Sequence, residues 1–341
     1  MTYAWTQRLD KDWTSVPKLR HNLWTSFEDT PETTYLTVSH GKFAVPTAEA
    51  QLFLKMRGFC TGHHSRSEVI RRSGLEADRA ENILSSLEEA GVFRPAYQPF
   101  QALDAANLRE TLLSACRIWS EQMAETNIAV DIMAGKGTPQ TVIGWMLETY
   151  HYIRTFPEAI QVAADAADGE LRETLHAYAA QERGHEAFVL RTLRGLGLDT
   201  AEVESSVPLV STRLIDLLMR EMFAETPCSA LLLARIVEAA ELDDEDIGAF
   251  QAAVARQYGF PDDALEPFFE HSRIDEGLGH ALLAERNQHL ITVGSEAALH
   301  RLVNRLHDIK HAFDLQKLEI VHYYNNVGNY VPRQFVDYFA I

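Results

Sequence analysis

Between about residue 104 and residue 326, no stretch of this chain alternates apolar and polar residues as a strand does. Every strong segment there carries the helical period instead. The candidates are Leu103–Met133, Pro139–Phe156, Gly169–Gly195, Ser211–Phe223, Pro227–Leu242, Asp246–Tyr258, Pro261–Leu290 and Ser295–Asn325. Several start just after Pro, Ser or Asp, and several end at Gly, as capped helices do. No repeat of solenoid period is visible. Helices that can pack only on other helices make a bundle, so a mainly α fold is expected. The aromatic tail YVPRQFVDYFAI is expected to pack back on the bundle or on a partner.

The first hundred residues read differently. Thr34–Val45 alternates around a Gly-Lys turn and predicts a short hairpin. AEAQLFLKMRGFCTG follows as an apolar helix ended by Gly58 or Gly62. SRSEVIRRSG is a short helix with Ser65 or Ser67 as N-cap and Gly74 after it. LEADRAENILSSLEEAGVF is a third helix, closed by Gly91, with VFRP as a return strand. Three helices and a strand resemble the small winged-helix domains of the PqqD-like type, which bind leader peptides in peptide-modifying enzymes. That resemblance implies a peptide or carrier partner for a domain over residues 1–100. Pro95 and Pro99 mark a linker to a second domain over 101–341.

Charge and cysteines narrow the function. Lys+Arg 31 against Asp+Glu 49 leaves −18, which disfavours nucleic acid and anionic membrane surfaces as partners. No apolar run reaches the ~18–20 residues that span a bilayer. The N-terminus lacks the basic-then-apolar layout of a signal peptide. Cys60, Cys116 and Cys228 are too few and too scattered for a disulfide framework or a thiolate zinc site. A reducing, cytoplasmic setting is expected. There is no dinucleotide fingerprint, no P-loop and no nucleophile elbow.

What remains is carboxylate and imidazole on apolar helices. Glu148 and His151 sit three apart in WMLETYHYIRTFP, on nearly one helical face that also carries Trp145 and Tyr152. The same spacing recurs at Glu182 and His185. Glu238 ends a run in LLLARIVEAAEL that is apolar apart from Arg235, and His271, Asp275, Glu276 and His280 share EPFFEHSRIDEGLGHALLAE. Each alone is as well explained by a surface pair or a satisfied histidine. Together they bring oxygen and nitrogen donors from four helices of one bundle, a mixture that suits iron or manganese. His300, His307 and His311 lie on a charged helix and read as a solvated stripe.

The runs ETYHYIRTFPEA, QERGHEAFVLRTLRGLGLD, PLVSTRLIDLLMREMFAETPCSALLLARIVEAAE and HSRIDEGLGHALL resemble the haem-oxygenase-like di-iron oxidases, over residues 104 to about 320. The resemblance implies a haem-oxygenase/TenA-like helical bundle holding two Fe(II) ions, with O2 as co-substrate and an external electron donor. It implies Glu148 as the first acid, Glu182 and His185 from the second helix, Glu238 from the third, and His271 with Asp275 from the last, with His280 as the remaining imidazole. The family's final His falls three residues after the Asp, where this chain has Leu278. A nine-residue step puts His271 and His280 on opposite faces of a regular helix. His280 can therefore join a site only where the helix bulges or breaks, which Gly277 and Gly279 would ease; otherwise Glu276 or Asp275 completes it. The implied reactions are N-oxygenation, desaturation or oxidative C–C cleavage of an amine, amino-acid, peptide-linked or fatty-acid-like substrate, by a homodimer in one reading. The alternatives are a ferritin-like di-iron carboxylate protein, a metal-free TenA-like enzyme, and a peptide-binding scaffold. Haem oxygenase itself fits poorly, because no His occurs between His64 and His151.

Overall fold

The computed structural model describes residues 32–38, 41–93, 104–238 and 244–340, together with Pro17 and Leu19. The chain divides into two compact units, Met1–Asp104 and Ala105–Ile341.

In the smaller unit, β1 (Thr33–Val38) and β2 (Gly41–Pro46) pair antiparallel, with Thr34 opposite Val45 and Val38 opposite Gly41. Gly41 and Lys42 thus belong to a strand rather than to the turn; residues 39–40 lie outside the described residues. The helices α1 (Thr47–Arg57), α2 (Arg66–Ser73) and α3 (Ala77–Glu89) follow. Ser65 caps α2 by accepting the Glu68 N–H at 3.2 Å, and Gly74 leaves the helix at φ +66°. Phe53, Met56, Val69 and Leu84 form the core, and Arg66 clamps α2 to α3 through Glu81, Ser85 and Glu88. The expected return strand is a single antiparallel bridge between Phe93 and Leu19; Pro95 and Pro99 lie outside the described residues.

Among the described residues of the larger unit, the regular elements are all helices. Its elements are α4 (Ala105–Thr126), α5 (Ile128–Met133), α6 (Pro139–Ala166), α7 (Gly169–Glu182), α8 (Glu186–Gly195), α9 (Thr200–Ser205) and α10 (Val210–Glu225). These are followed by α11 (Ser229–Val237), α12 (Asp244–Tyr258), α13 (Glu266–Leu278), α14 (Leu283–Arg286) and α15 (Glu296–Tyr324). The central helix is α6, packed on α7, α8, α10 and α15. It is apolar on most of its circumference, as a helix surrounded by others must be. A capping box of Thr138 and Thr141, with Pro139 in the first turn, starts it. It does not end at Phe156 but runs through Pro157, because Ala159, Ile160, Ala163 and Ala164 beyond the proline are buried and hold the last turns in place. None of the described helices is long and apolar enough to cross a membrane. Of the tail, Arg333 ties back to the bundle, its carbonyl accepting the Val207 N–H at 3.0 Å and its guanidinium donating to the Pro208 carbonyl, while Phe335, Tyr338 and Phe339 stay exposed.

The departures from the expected helices are informative. The segment 103–133 is two helices, because Asn127 caps α5 on the Ala129 N–H. Gly169–Gly195 is also two. Arg183 is extended (φ −69°, ψ 128°) and Gly184 takes φ +92°, so α7 stops at Glu182 and α8 restarts after His185. The helix from Ser229 ends at Val237, with Glu238 as its cap; Leu242 lies outside the described residues. Pro261–Leu290 breaks at Gly279.

Candidate metal centre

These breaks gather the chemistry. Glu182 is the last residue of α7, His185 precedes α8, Glu238 caps α11 and His280 opens a 3-10 turn after Gly279; only His271 and Asp275 lie within a helix, α13. A side chain at a helix end escapes the helical period, so four elements can aim polar atoms at one point. Gly279 adopts φ +75°, its N–H returning to the Asp275 and Glu276 carbonyls. The reversal that follows brings His280 to the same side as His271. The helix is therefore broken rather than bulged, and Glu276 is not needed to complete the cluster.

Two groups of donors result: His185, His271 and Asp275; and Glu182, Glu238 and His280. They adjoin. Glu182 Oε2 lies 3.3 Å from His185 Nδ1 and Glu182 Oε1 lies 2.9 Å from His280 Nδ1. Asp275 Oδ1 lies 3.4 Å from His185 Nδ1 and 3.5 Å from His280 Nδ1, while its Oδ2 is 3.0 Å from His271 Nε2. Glu182 and Asp275 thus reach across both groups. His271 Nε2 also approaches His185 Nδ1 to 3.0 Å. Two imidazole nitrogens that close, both facing carboxylates, can share one proton between them or one cation.

The surroundings fix orientation. The Gln181 side-chain oxygen, 3.1 Å from His280 Nε2, accepts its N–H and turns Nδ1 toward the cluster. Tyr178 donates its O–H to Glu238 Oε1 at 3.2 Å and sets its ring edge against His280 at 5.1 Å between centroids. Phe188 packs on His271 and His185.

Protons share out the cluster's charge. Burial raises Glu238, and the charges of Glu182 and Asp275 push it further, to about 8. Burial opposes the charged form of His280, but Asp275 and Glu182 outweigh it and push the imidazole up to about 10. His185 is raised chiefly by its hydrogen bond to Glu182, whereas burial lowers His271. Burial alone would raise Glu182, yet His185 and His280 bring it below the usual range.

The residues fit a metal on two observations. First, Glu182 Oε1, Asp275 Oδ1 and His280 Nδ1 are buried without a hydrogen-bond partner, although close to one another. Buried acceptors left unpaired in this way are what a cation satisfies. Second, two histidines and one carboxylate are the donor set of non-haem Fe(II) oxygenase sites. Three carboxylates and three neutral imidazoles also offset most of the charge of two divalent ions.

Glu148 does not join either group. Its carboxylate is fully buried and accepts from Thr212 Oγ1 at 2.5 Å, Leu209 N–H at 3.0 Å and Tyr324 O–H at 2.7 Å. Its acceptor capacity is spent on fastening α6 to α10 and α15. His151 is likewise held apart, 3.0 Å from Ser206 Oγ. Tyr152, one turn beyond Glu148, has a buried hydroxyl without a hydrogen-bond partner, and burial first, then the charges of Glu238 and Glu182, keep it protonated. The three cysteines are free and buried, with burial pushing Cys60 and Cys116 up to about 12, so none is a nucleophile. Beside the α7–α8 break, a cavity of about 310 Å³ is lined by Arg154, Glu158, Gln161, Arg183, Gly184 and Glu186.

Comparison with known proteins finds similarity over the helical unit. No curated protein matches the chain. A domain of unknown function with a heme oxygenase-like fold from Shewanella denitrificans superposes with a TM-score of 0.50 at 19% identity, covering 64% of this chain and 92% of that one. A TenA homologue from P. horikoshii gives a TM-score of 0.45 at 14% identity, over 63% of this chain and 98% of that one. A TenA homologue from Pseudomonas syringae gives 0.43 at 12% identity, over 65% and 99%. The profile of the iron-containing redox enzymes matches residues 143–305, a span that contains both donor groups. The larger unit is therefore a haem-oxygenase-like helical bundle, and its residues 143–305 are similar to the iron-containing redox enzyme family.

Proposed function

We propose that this protein is an O2-dependent non-haem di-iron oxidase or oxygenase. The observation that carries the reading is the pair of adjoining donor groups bridged by Glu182 and Asp275. His185, His271 and Asp275 would hold one ion; Glu182, Glu238 and His280 would hold the other. When bound, two ferrous ions supply the electrons that reduce O2. The protein's own contribution is positional. Gln181 and Tyr178 orient His280 and Glu238, Phe188 and Tyr178 wall the centre from water, and the two shared carboxylates keep the groups adjacent.

The cavity at the α7–α8 break is the proposed approach for substrate, since Arg183 and Gly184 separate the two donors Glu182 and His185. Its arginines and glutamates suit a charged amine or amino-acid group better than a wholly apolar one, and N-oxygenation, desaturation and C–C cleavage all remain within this chemistry. A peptide or carrier partner for the smaller unit and a cytoplasmic homodimer belong to the same proposal.

The test is iron titration. Fe(II) added anaerobically to the metal-free protein should bind at about two ions per chain, and O2 should then be consumed in proportion to bound iron. Binding of one ion supports a mononuclear centre at the two-histidine group. No uptake of iron rules the reading out in favour of a metal-free enzyme of the same fold.

A further inference from the structure

A helix at the surface of a bundle normally turns a polar face to solvent. On α10 that face carries Val210, Leu214 and Leu217 instead, spaced i, i+4, i+7, with Val210 62% and Leu217 58% exposed. The adjoining helix continues the patch. Glu319 of α15 accepts the Ser211 N–H at 2.7 Å and Gln316 donates to Thr212 Oγ1 at 2.8 Å, so α15 is fastened to the start of α10, and the same stretch of α15 exposes Leu315 and Leu318. Single exposed apolar residues need no explanation, but five on two packed helices do. The C-terminal tail leaves the bundle at the same place. Arg333 is held by the Val207 N–H and the Pro208 carbonyl, just before Val210. Beyond it Phe335, Val336, Tyr338 and Phe339 are exposed, and Phe339, 95% exposed, finds its ring contact in Tyr338 of the same tail. Charges match as well. Arg213, exposed beside Leu214, and Asp337, among the tail aromatics, form no salt bridge among the described residues; Asp337 accepts the Phe339 N–H.

We propose that two copies of this chain exchange tails: Phe335, Tyr338 and Phe339 of each copy lie on the α10–α15 stripe of the other, with Asp337 of one against Arg213 of the other. A chain that carries both an apolar stripe and an aromatic tail, and covers neither with its own bundle, finds the complement in a second copy. The exchange is the same in both directions, so it closes as a symmetric dimer and leaves no stripe free to propagate a fibre. The area is sufficient. Two exchanged tails hide roughly 900–1,500 Å² of aromatic surface, and the covered stripes bring the total into the ~1,200–2,000 Å² of a stable interface. The proposal gives the homodimer of the functional reading a specific interface, and it stands independently of the metal.

Sedimentation velocity of the full chain tests this. Wild type should sediment as a dimer at micromolar concentration. Truncation after Arg333, which keeps both anchoring bonds, should give a monomer with unchanged helical content. Leu217→Glu should do the same, because its exposed side chain leaves no cavity when replaced. Asp337→Arg should weaken association about fivefold to tenfold, since two exposed charge contacts turn repulsive at once. Adding Arg213→Asp to that variant should restore most of the loss. A monomeric wild type overturns the proposal. So does a dimer that survives the truncation or Leu217→Glu, and so does a double swap as weak as Asp337→Arg alone. A monomeric wild type whose α10 amides lose hydrogen-exchange protection on truncation would show the tail closing over its own stripe, and overturns the second copy as its occupant. Iron stoichiometry should be the same in all these variants. Loss of the dimer with iron uptake intact therefore bears on the interface, and absence of iron in an intact dimer bears on the metal reading.

Discussion

His280 Nδ1 stands 2.9 Å from Glu182 Oε1 because the residue before it, Gly279, is in the left-handed region at φ +75°. Any other residue would be strained there, and a Cβ on Gly279 would also run into the Arg286 guanidinium. Gly279→Ala should therefore cost about 1–2 kcal/mol of stability. It should also displace His280, so that iron uptake drops from about two ions to about one. Gly277→Ala is the control: it lies within α13 with nothing near its absent Cβ, and should leave both quantities unchanged or slightly raise stability. Thermal unfolding and metal analysis of the two variants decide the matter, and equal behaviour would dismiss the helix break as the device that places His280.

Glu148 and the six clustered residues should separate cleanly. Glu148→Ala strands the Thr212 hydroxyl, the Leu209 N–H and the Tyr324 hydroxyl in the core, and should destabilise the fold by about 3 kcal/mol or more. Glu148→Gln retains an acceptor toward Thr212 and Leu209 and should cost less, with iron uptake near the wild-type value. Loss of iron in a folded Glu148→Gln protein would place this carboxylate in the centre after all.

The carboxylates within the cluster should also differ from one another. Asp275 faces His271, His185 and His280, whereas Glu238 belongs to one group alone. Asp275→Ala should abolish tight binding of both ions, while Glu238→Gln should lower the stoichiometry to about one. Identical loss in the two variants would count against two groups sharing Asp275.

Much of this arrangement is legible in residue spacing, and the illegible part has a common cause. Periodicity marks the helices of the bundle, since burial of one face leaves a direct trace in sequence. Glu-x-x-His at 182–185 stands out for the same reason, yet the two residues do not share a helix: Arg183 and Gly184 interrupt it. The pairs at 148–151 and 182–185 look alike in sequence but have opposite fates. Which partner a buried acid meets depends on α10 and α15, more than sixty residues away, and no local pattern encodes that. Pro157 misleads in the other direction, because tertiary burial of Ala159 and Ile160 outweighs the local cost of a proline. The break at Gly279 was signalled by the glycine, but only the direction of the chain beyond it tells on which side His280 falls.

His151 should make the fold sensitive to acid. The Ser206 hydroxyl gives its hydrogen to the Val203 carbonyl at 2.6 Å, so its oxygen must accept the His151 Nε2–H at 3.0 Å. His151 Nδ1 is then the bare nitrogen facing Arg154 Nη2 at 3.4 Å, and the ring is neutral. Burial first, and the Arg154 charge second, push its pKa down to about 3 from an ordinary value of 6.5. The unfolded chain takes up a proton below 6.5 that the folded chain refuses until about 3. Stability from this group is thus complete above pH 6.5 and is lost as pH falls toward 3, by about 1.4 kcal/mol per pH unit at most. His151→Gln can keep a donor toward Ser206 without a titrating ring. Urea unfolding midpoints between pH 4 and 7 should fall less steeply for His151→Gln than for wild type, with the two curves converging in shape above pH 7. Parallel curves throughout would mean that His151 is protonated in the folded protein, and the neutral tautomer derived from Ser206 would be wrong.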